Sequence, residues 1–207
     1  MLVILPKPKS TGLMSVEEAI AKRRSIRRWE KYTLKLEELS QLLWAVQGIT
    51  EESYGFRAAP SAGATYPLEI YIVVGENGVE GLKAGVYHYL PERHAIELHL
   101  EGDIRDKLEE ACLGQTWVGS APVIFVIAAE LERTTRVYGR RGVRYVYYEV
   151  GHAAQNLYLQ ATALGLGTVA IGAYRDDEVK EILKIPKNIE PLYILPVGKP
   201  SKVRPWP

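Results

Sequence analysis

The stretch that most constrains the fold is "VRYVYYEVGHAAQNLYLQATALG", residues 143 to 165. Its tyrosines, with Val150, Ala153, Ala154, Leu157, Ala161 and Leu164, leave little polar face, and the pattern predicts a helix from about Val143 to Leu164. A helix apolar nearly all round must be covered, by its own domain or by a second subunit. The run "APVIFVIAAE" adds a second demand: a strand with no polar alternation is buried on both faces.

The remaining elements fall around these two. "SVEEAIAKRR" opens with a capping box, Ser15 accepting from the amide of Glu18 and Glu18 reaching back, so a helix should run from about Val16 to Arg24 with Val16, Ala19 and Ile20 as its stripe. "LEELSQLLWAVQG" predicts a helix stopped by Gly48. A Gly-, Pro- and Ser-rich loop separates it from the strand "LEIYIVVG". "GVYHYLPERHAIELHLEG" reads as a hairpin turning at Pro91 to Arg93, "DIRDKLEEACLG" as a short helix capped at Asp103, and "TVAIGAY" and "PLYILPVG" as two further strands. Helices and strands mingle without repeat or linker, giving one α+β domain around a central sheet, residues 15–207, preceded by an arm at 1–14 that is either an edge strand or reaches to a neighbour.

Composition excludes several function classes. With 26 Lys plus Arg against 25 Asp plus Glu, the net charge of +1 argues against wholesale nucleic-acid binding. The single Cys112 rules out an internal disulfide and fits a reducing cytoplasm. No apolar run reaches the ~20 residues of a membrane span, and "MLVILPKPKS" is too short for a secretory signal. Scarce Asn, Gln, Met and Cys beside abundant Glu, Lys and Arg lean toward a heat-adapted source.

The candidate sites are few. His88, His94, His99 and His152 form no ligand-spaced pair, and His94 and His99, five apart on a hairpin strand, point to opposite faces, so no metal is expected. His152 reads as a hydrogen-bonded core histidine and Cys112 as a buried filler. The glycines of "ALGLGTVAIG" follow a helix and precede a strand, the reverse of a dinucleotide fingerprint; Gly165 ends a helix and Gly167 opens a turn. What stands out is "AKRRSIRRWE", with Lys22, Arg23, Arg24, Arg27 and Arg28 inside seven positions. Arg23 and Arg27 share a face if the helix continues, and Ser25 sets a hydroxyl between cations. A solvated basic face is one reading. A second cluster, Lys199, Lys202 and Arg204 in "VGKPSKVRPWP", offers another: if the two converge, they suit a phosphate dianion.

"RRSIR", "APSAGATYPLEIYIV", "GQTWVGSAPVIFVIA", "YEVGHAAQNLYLQATALGLGTVAIGAY" and "YILPVGKP" together resemble the nitroreductase superfamily, in order and at family spacing over about residues 14 to 200. The likeness is greatest to its SagB-type branch of flavin dehydrogenases, which includes azoline oxidases of peptide maturation. The resemblance implies a three-layer fold, a central mixed sheet flanked by helices, in an intertwined homodimer with FMN at the interface. It also implies hydride transfer from NAD(P)H to a small electron-poor acceptor. By the same resemblance Arg23 faces the flavin phosphate, with Arg24 in the same segment, while Ser25 and Arg27 approach the ribityl and pyrimidine side. Pro60, Ser61 and Gly63 form the loop that packs on the flavin from the partner subunit, with Ala64 where many relatives carry Asn. Gln115 hydrogen-bonds the flavin, Ile171, Gly172 and Ala173 form the strand end whose amide faces N5, and Lys202 and Arg204 clamp the phosphate. Azole-forming members carry a Lys-Tyr pair; here the match is Arg144-Tyr145, which leaves Tyr145 as a proton donor and Arg144 without the base function of a lysine. Azoline oxidation of a peptide, a flavin carrier without turnover, and a basic-patch interaction domain stand as alternatives.

Overall fold

The structure is a computed structural model and describes residues 1–202. Seven strands form one sheet: β1 (Leu2–Ile4), β4 (Leu68–Val74), β5 (Gly85–Leu90), β6 (Ala95–Glu101), β7 (Val123–Ala129), β8 (Gly167–Thr168) and β9 (Glu190–Gly198). Their order is β1-β6-β5-β4-β7-β9-β8, and every pairing between them is antiparallel. Parallel contact enters through single bridges, Ser25 to Thr168 and Leu34 to Val79. A two-stranded ribbon, β2 (Ile49–Glu51) and β3 (Phe56–Arg57), stands apart.

The two-sided burial expected of "APVIFVIAAE" follows from the period of two along β7. Val123, Phe125, Ile127 and Ala129 enter one core, while Ile124, Val126 and Ala128 enter the other. The first core is closed by α2 (Leu36–Gln47) and α6 (Gly142–Ala163), through Leu39, Leu42, Leu43 and Val46 from one and Val146, Val150, Ala153, Leu157 and Ala161 from the other. The second is closed by α3 (Arg105–Ala111), α4 (Thr116–Gly119) and α7 (Asp176–Leu183), through Leu108, Val118, Val179 and Leu183. Each fully buried Val, Leu, Ile or Phe contributes about 1.5–3 kcal/mol, so helices are held on both faces of the sheet. This is the three-layer α+β architecture.

Several local expectations change. Helix α1 runs Val16–Lys22, two residues short of Arg24, because Arg23 turns to φ −51°, ψ 127°. Ser15 accepts from Glu18 as expected at 3.1 Å, but the Glu18 carboxylate goes to Lys22 at 2.5 Å. The segment "TVAIGAY" gives only the short β8 and a bridge at Ile171, because the Ala170 amide donates to the Tyr158 hydroxyl at 2.7 Å instead of entering a ladder. Helices α5 (Leu131–Tyr138) and α7 were not anticipated, although α7 carries a helical stripe in Val179, Ile182 and Leu183. His94 sits in the hairpin turn, its ring between the hydroxyls of Ser40 (2.7 Å) and Tyr89 (2.9 Å). His152 is exposed on α6, so the core reading of that histidine does not hold. Cys112 is fully buried just beyond α3, and burial pushes its thiol up to about 12. The amino-terminal residues form an edge strand on β6, then lie along α2, where Gln41 bonds both backbone groups of Lys9 at 2.8 and 3.1 Å.

Candidate functional site

The basic segment is not helical. After Arg23 the chain runs between β8 and the end of β9, joined by Ile26 N–H to the Thr168 carbonyl (2.9 Å), Glu30 N–H to the Lys199 carbonyl (2.9 Å) and Ser201 N–H to the Arg28 carbonyl (3.0 Å). Trp29 and Pro200 form an antiparallel bridge. Glycine makes this threading feasible at two points. A Cβ on Gly167 would lie 2.6 Å from Ile26 Cγ1, and one on Gly198 would lie 3.0 Å from the Trp29 ring. Gly167 is therefore a close-approach glycine, whereas Gly165 takes the left-handed φ of +71° expected just past a helix end.

Arg23 and Ser25 still meet, on Tyr158 of α6. The Arg23 guanidinium lies 5.1 Å from the centre of that ring, and the Ser25 hydroxyl is 3.2 Å from the Tyr158 hydroxyl. Alternation along a non-helical chain brings positions two apart to one side, replacing the helical face first expected. Arg24 turns outward, with Nη1 donating to the carbonyls of Ala21 (2.9 Å) and Arg23 (2.7 Å). Arg27 lies over the Trp117 ring at 5.6 Å.

A cleft of about 550 Å³ opens beside these residues, lined by Arg27, Arg28, Gln115, Thr116, Trp117 and residues 169–171. That volume lies within the usual ~300–1,000 Å³ of small-molecule sites. Gln115 Nε2 donates to the carbonyls of Cys112 (2.8 Å) and Ala173 (3.0 Å), tying the 170–174 loop to the α3–α4 connection. The Ile171 amide is committed to the Ile194 carbonyl at 2.8 Å. With Ala170 committed to Tyr158, the Gly172 amide is the next donor along this loop, and Gly172 is exposed. The Trp117 indole N–H is buried with no acceptor among the described residues. Lys202 is exposed, one residue beyond the Ser201–Arg28 bond; Arg204 lies outside the described residues.

Arg23, Arg24, Ser25, Gly172, Ala173 and Lys202 are not among the lining residues of this cleft, and Pro60, Ser61, Gly63 and Tyr145 form a second group that does not line it either. They gather with α5 and the start of α6. A Cβ on Gly63 would meet the Tyr138 hydroxyl at 2.6 Å, and Tyr138 packs edge-on against Tyr145 at 5.2 Å. Ala64 takes φ +52°, a left-handed conformation that Asn adopts more readily than Ala. Beneath the loop, Glu149 is 2% exposed, and both its Oε1 and the Gln47 Nε2 are buried without a hydrogen-bond partner among the described residues. Burial pushes this carboxyl up to about 7, against the opposing pull of the nearby Ser61 and Gln47 side chains and the Arg57 guanidinium.

Residues 20–199 match the nitroreductase family. The chain belongs to that family. Among nitroreductase-family relatives, MJ1384 of Methanocaldococcus jannaschii, a nitroreductase by name, is 52% identical over 186 residues, 90% of this chain and 91% of the relative. The microcin B17-processing protein McbC of Escherichia coli is 26% identical over 169 residues, 80% of this chain but 62% of its own length. A Bacillus subtilis FMN reductase [NAD(P)H] is 32% identical over 111 residues, 47% of this chain and 45% of the relative. A nitroreductase crystal structure from Ralstonia eutropha superposes with a TM-score of 0.84 at 27% identity, covering 97% of this chain and 90% of that one. The nitroreductase fold expected from the sequence is thereby shown. No helix among the described residues is long and apolar enough to cross a membrane.

Residues that sequence reasoning missed are Tyr158, Thr116 and Trp117, with Arg28 noted only as part of the charge run. Tyr158 carried a usable signal, a polar-tipped aromatic in an apolar helix. Helix α4, four residues long, carried none.

Proposed function

We propose that the chain is an FMN-dependent oxidoreductase of the SagB-type branch, in which bound FMN takes hydride at N5 from NAD(P)H and delivers it to an electron-poor acceptor in a ping-pong cycle. The observation that carries this reading is the pairing of residues 28–30 with 199–201, which sets the carboxy-terminal cationic segment beside the one whose Arg27 and Arg28 line the cleft. The residues there fit the cofactor. The buried, unpartnered Trp117 N–H and the open Gly172 amide are donors for a polar heteroring. Arg23 and Lys202 would hold the phosphate, Arg24 flanking the same segment. Ser25 and Arg27 would hold the ribityl and pyrimidine side. Arg27 would there stabilise the negative charge of the reduced ring electrostatically. Gln115 holds the 170–174 loop through Ala173, so its part is to fix the Ile171–Ala173 backbone; Oε1 is left for any direct contact.

The other group, Pro60, Ser61, Gly63 and Tyr145, is read as belonging to the site of a partner subunit in a homodimer. Its separation from the cleft within one chain supports that reading. So do exposed apolar surfaces: Leu13, Val16 and Ile20 around α1, and Tyr147 and Tyr148 with Gly151 and His152 along α6. Tyr145 would give a proton to the acceptor. The enclosing subunits would exclude water and fix donor and acceptor in turn over the ring.

The test is purification followed by anaerobic titration. A yellow protein whose flavin colour is bleached by NADH or NADPH supports the reading. A colourless protein that gains no thermal stability from added FMN refutes it.

A further inference from the structure

The stretch from Arg133 to Tyr148 holds five arginines and no acidic residue, in a chain of net charge +1. Two of the five are neutralised: Arg133 pairs with Glu69 and Glu130, and Arg136 with Glu132 at 3.2 Å. Arg140, Arg141 and Arg144 are exposed and have no ion pair among the described residues. They occupy one turn where the 3₁₀ segment Gly139–Arg141 enters α6. Aromatic faces border them: Tyr138 is 38% and Tyr148 56% exposed, and Tyr145 packs between the two at 5.2 and 6.5 Å. Holding three like charges in one turn without a counter-ion is unfavourable unless an anion arrives.

The anion must be compact, because the unpaired guanidiniums span a single turn and the other cationic segments, 22–28 and 199–202, belong to the proposed flavin site; an RNA-binding domain would extend the charge further. The flat tyrosine faces suit a base or a nicotinamide ring beside the charge. The surface is continuous with the 60–63 loop, since Tyr138 lies against Gly63.

We infer that Arg140, Arg141 and Arg144 seat the phosphates of the nicotinamide dinucleotide donor and favour NADPH over NADH. This rests on the proposed flavin site, with the 60–63 loop lying over the ring. Guanidiniums matched to the two phosphates of the pyrophosphate leave a third for the 2′-phosphate, the group that distinguishes NADPH. No new bond is made there; the arginines hold the donor while its nicotinamide reaches the flavin.

The experiment is stopped-flow reduction of the flavin-loaded protein, reading bleaching as a function of donor concentration, for wild type and the triple variant R140Q/R141Q/R144Q. Wild type should bind NADPH at least about tenfold more tightly than NADH, the scale of one charge-assisted phosphate contact. In the triple variant that preference should fall to within about twofold, with flavin content unchanged. As an equilibrium check, 2′,5′-ADP should compete with NADPH on wild type far better than 5′-AMP does, and the variant should lose the difference. Equal affinity for the two donors in wild type overturns the inference, as does a preference that survives the triple substitution. Binding of a glutamate-rich peptide that the substitutions abolish, with donor affinities unaltered, also overturns it and makes the face a peptide-docking surface. In each of these results the protein is yellow and the flavin reading stands; a colourless protein refutes that reading instead.

Discussion

Replacing Glu149 by Gln should stabilise the protein at alkaline pH and leave it nearly unchanged at acid pH. The side chain is 2% exposed, and burial lifts its carboxyl from 4.5 to about 7. A folded-state value above the unfolded one means the neutral form is favoured in the fold. That contribution is fully present below pH 4.5 and is lost as pH rises through about 7. At roughly 1.36 kcal/mol per pH unit, the whole rise amounts to about 3 kcal/mol. Glutamine keeps the shape of the side chain and carries no charge, so it avoids that loss. The difference between variant and wild type should be under about 1 kcal/mol at pH 5 and about 3 kcal/mol at pH 8.5. Urea denaturation at both pH values, at one fixed protein concentration, measures it. Taking the difference between the two proteins cancels every other titrating group. A difference independent of pH, or a variant less stable than wild type at pH 8.5, refutes the argument.

Arg23→Ala should lower FMN occupancy of the purified protein, weakening binding by about 10- to 100-fold, since a phosphate charge loses its partner. Occupancy equal to wild type by absorbance would return Arg23 to a solvated surface. Tyr158→Phe removes the acceptor of the Ala170 amide and the contact with Ser25. It should cost about 1–3 kcal/mol in denaturant unfolding and loosen FMN as well; an unchanged midpoint would show that water replaces the hydroxyl. Light scattering at micromolar concentration should give a dimer, and a monomer would remove the partner-subunit role from Ser61 and Gly63.

Much of the fold was legible in local pattern. The unbroken apolar run at 122–129 required helices on both faces, and the alternation of Phe125 and Ile127 against Ile124 and Val126 shows how one strand serves two cores. The long helix was legible for the same reason, although one stripe of it, Tyr147, Tyr148 and His152, is exposed in the single chain. Helix α5 was hard to read, with Leu131, Val137 and Tyr138 as its few apolar positions, whereas the i, i+3, i+4 stripe of Val179, Ile182 and Leu183 in α7 was present in the sequence. Within the site, the residue types in "RRSIR" were conspicuous, but their conformation was not. Continuation of α1 and the bridge to Thr168 compete for the same backbone groups, and β8 decides between them.

By itself, then, the sequence determined which strand and helix runs form the two cores and which segments carry unbalanced positive charge, since both follow from neighbours a few residues away. Only the tertiary structure decided that Ser201 N–H and the Arg28 carbonyl, at opposite ends of the chain, share a hydrogen bond of 3.0 Å, which sets the two cationic segments side by side. It likewise set Ser61 and Tyr145 apart from the cleft lined by Arg27 and Arg28. Hydrophobic periodicity acts within a helix or a strand, whereas pairing between distant segments depends on how the whole sheet closes.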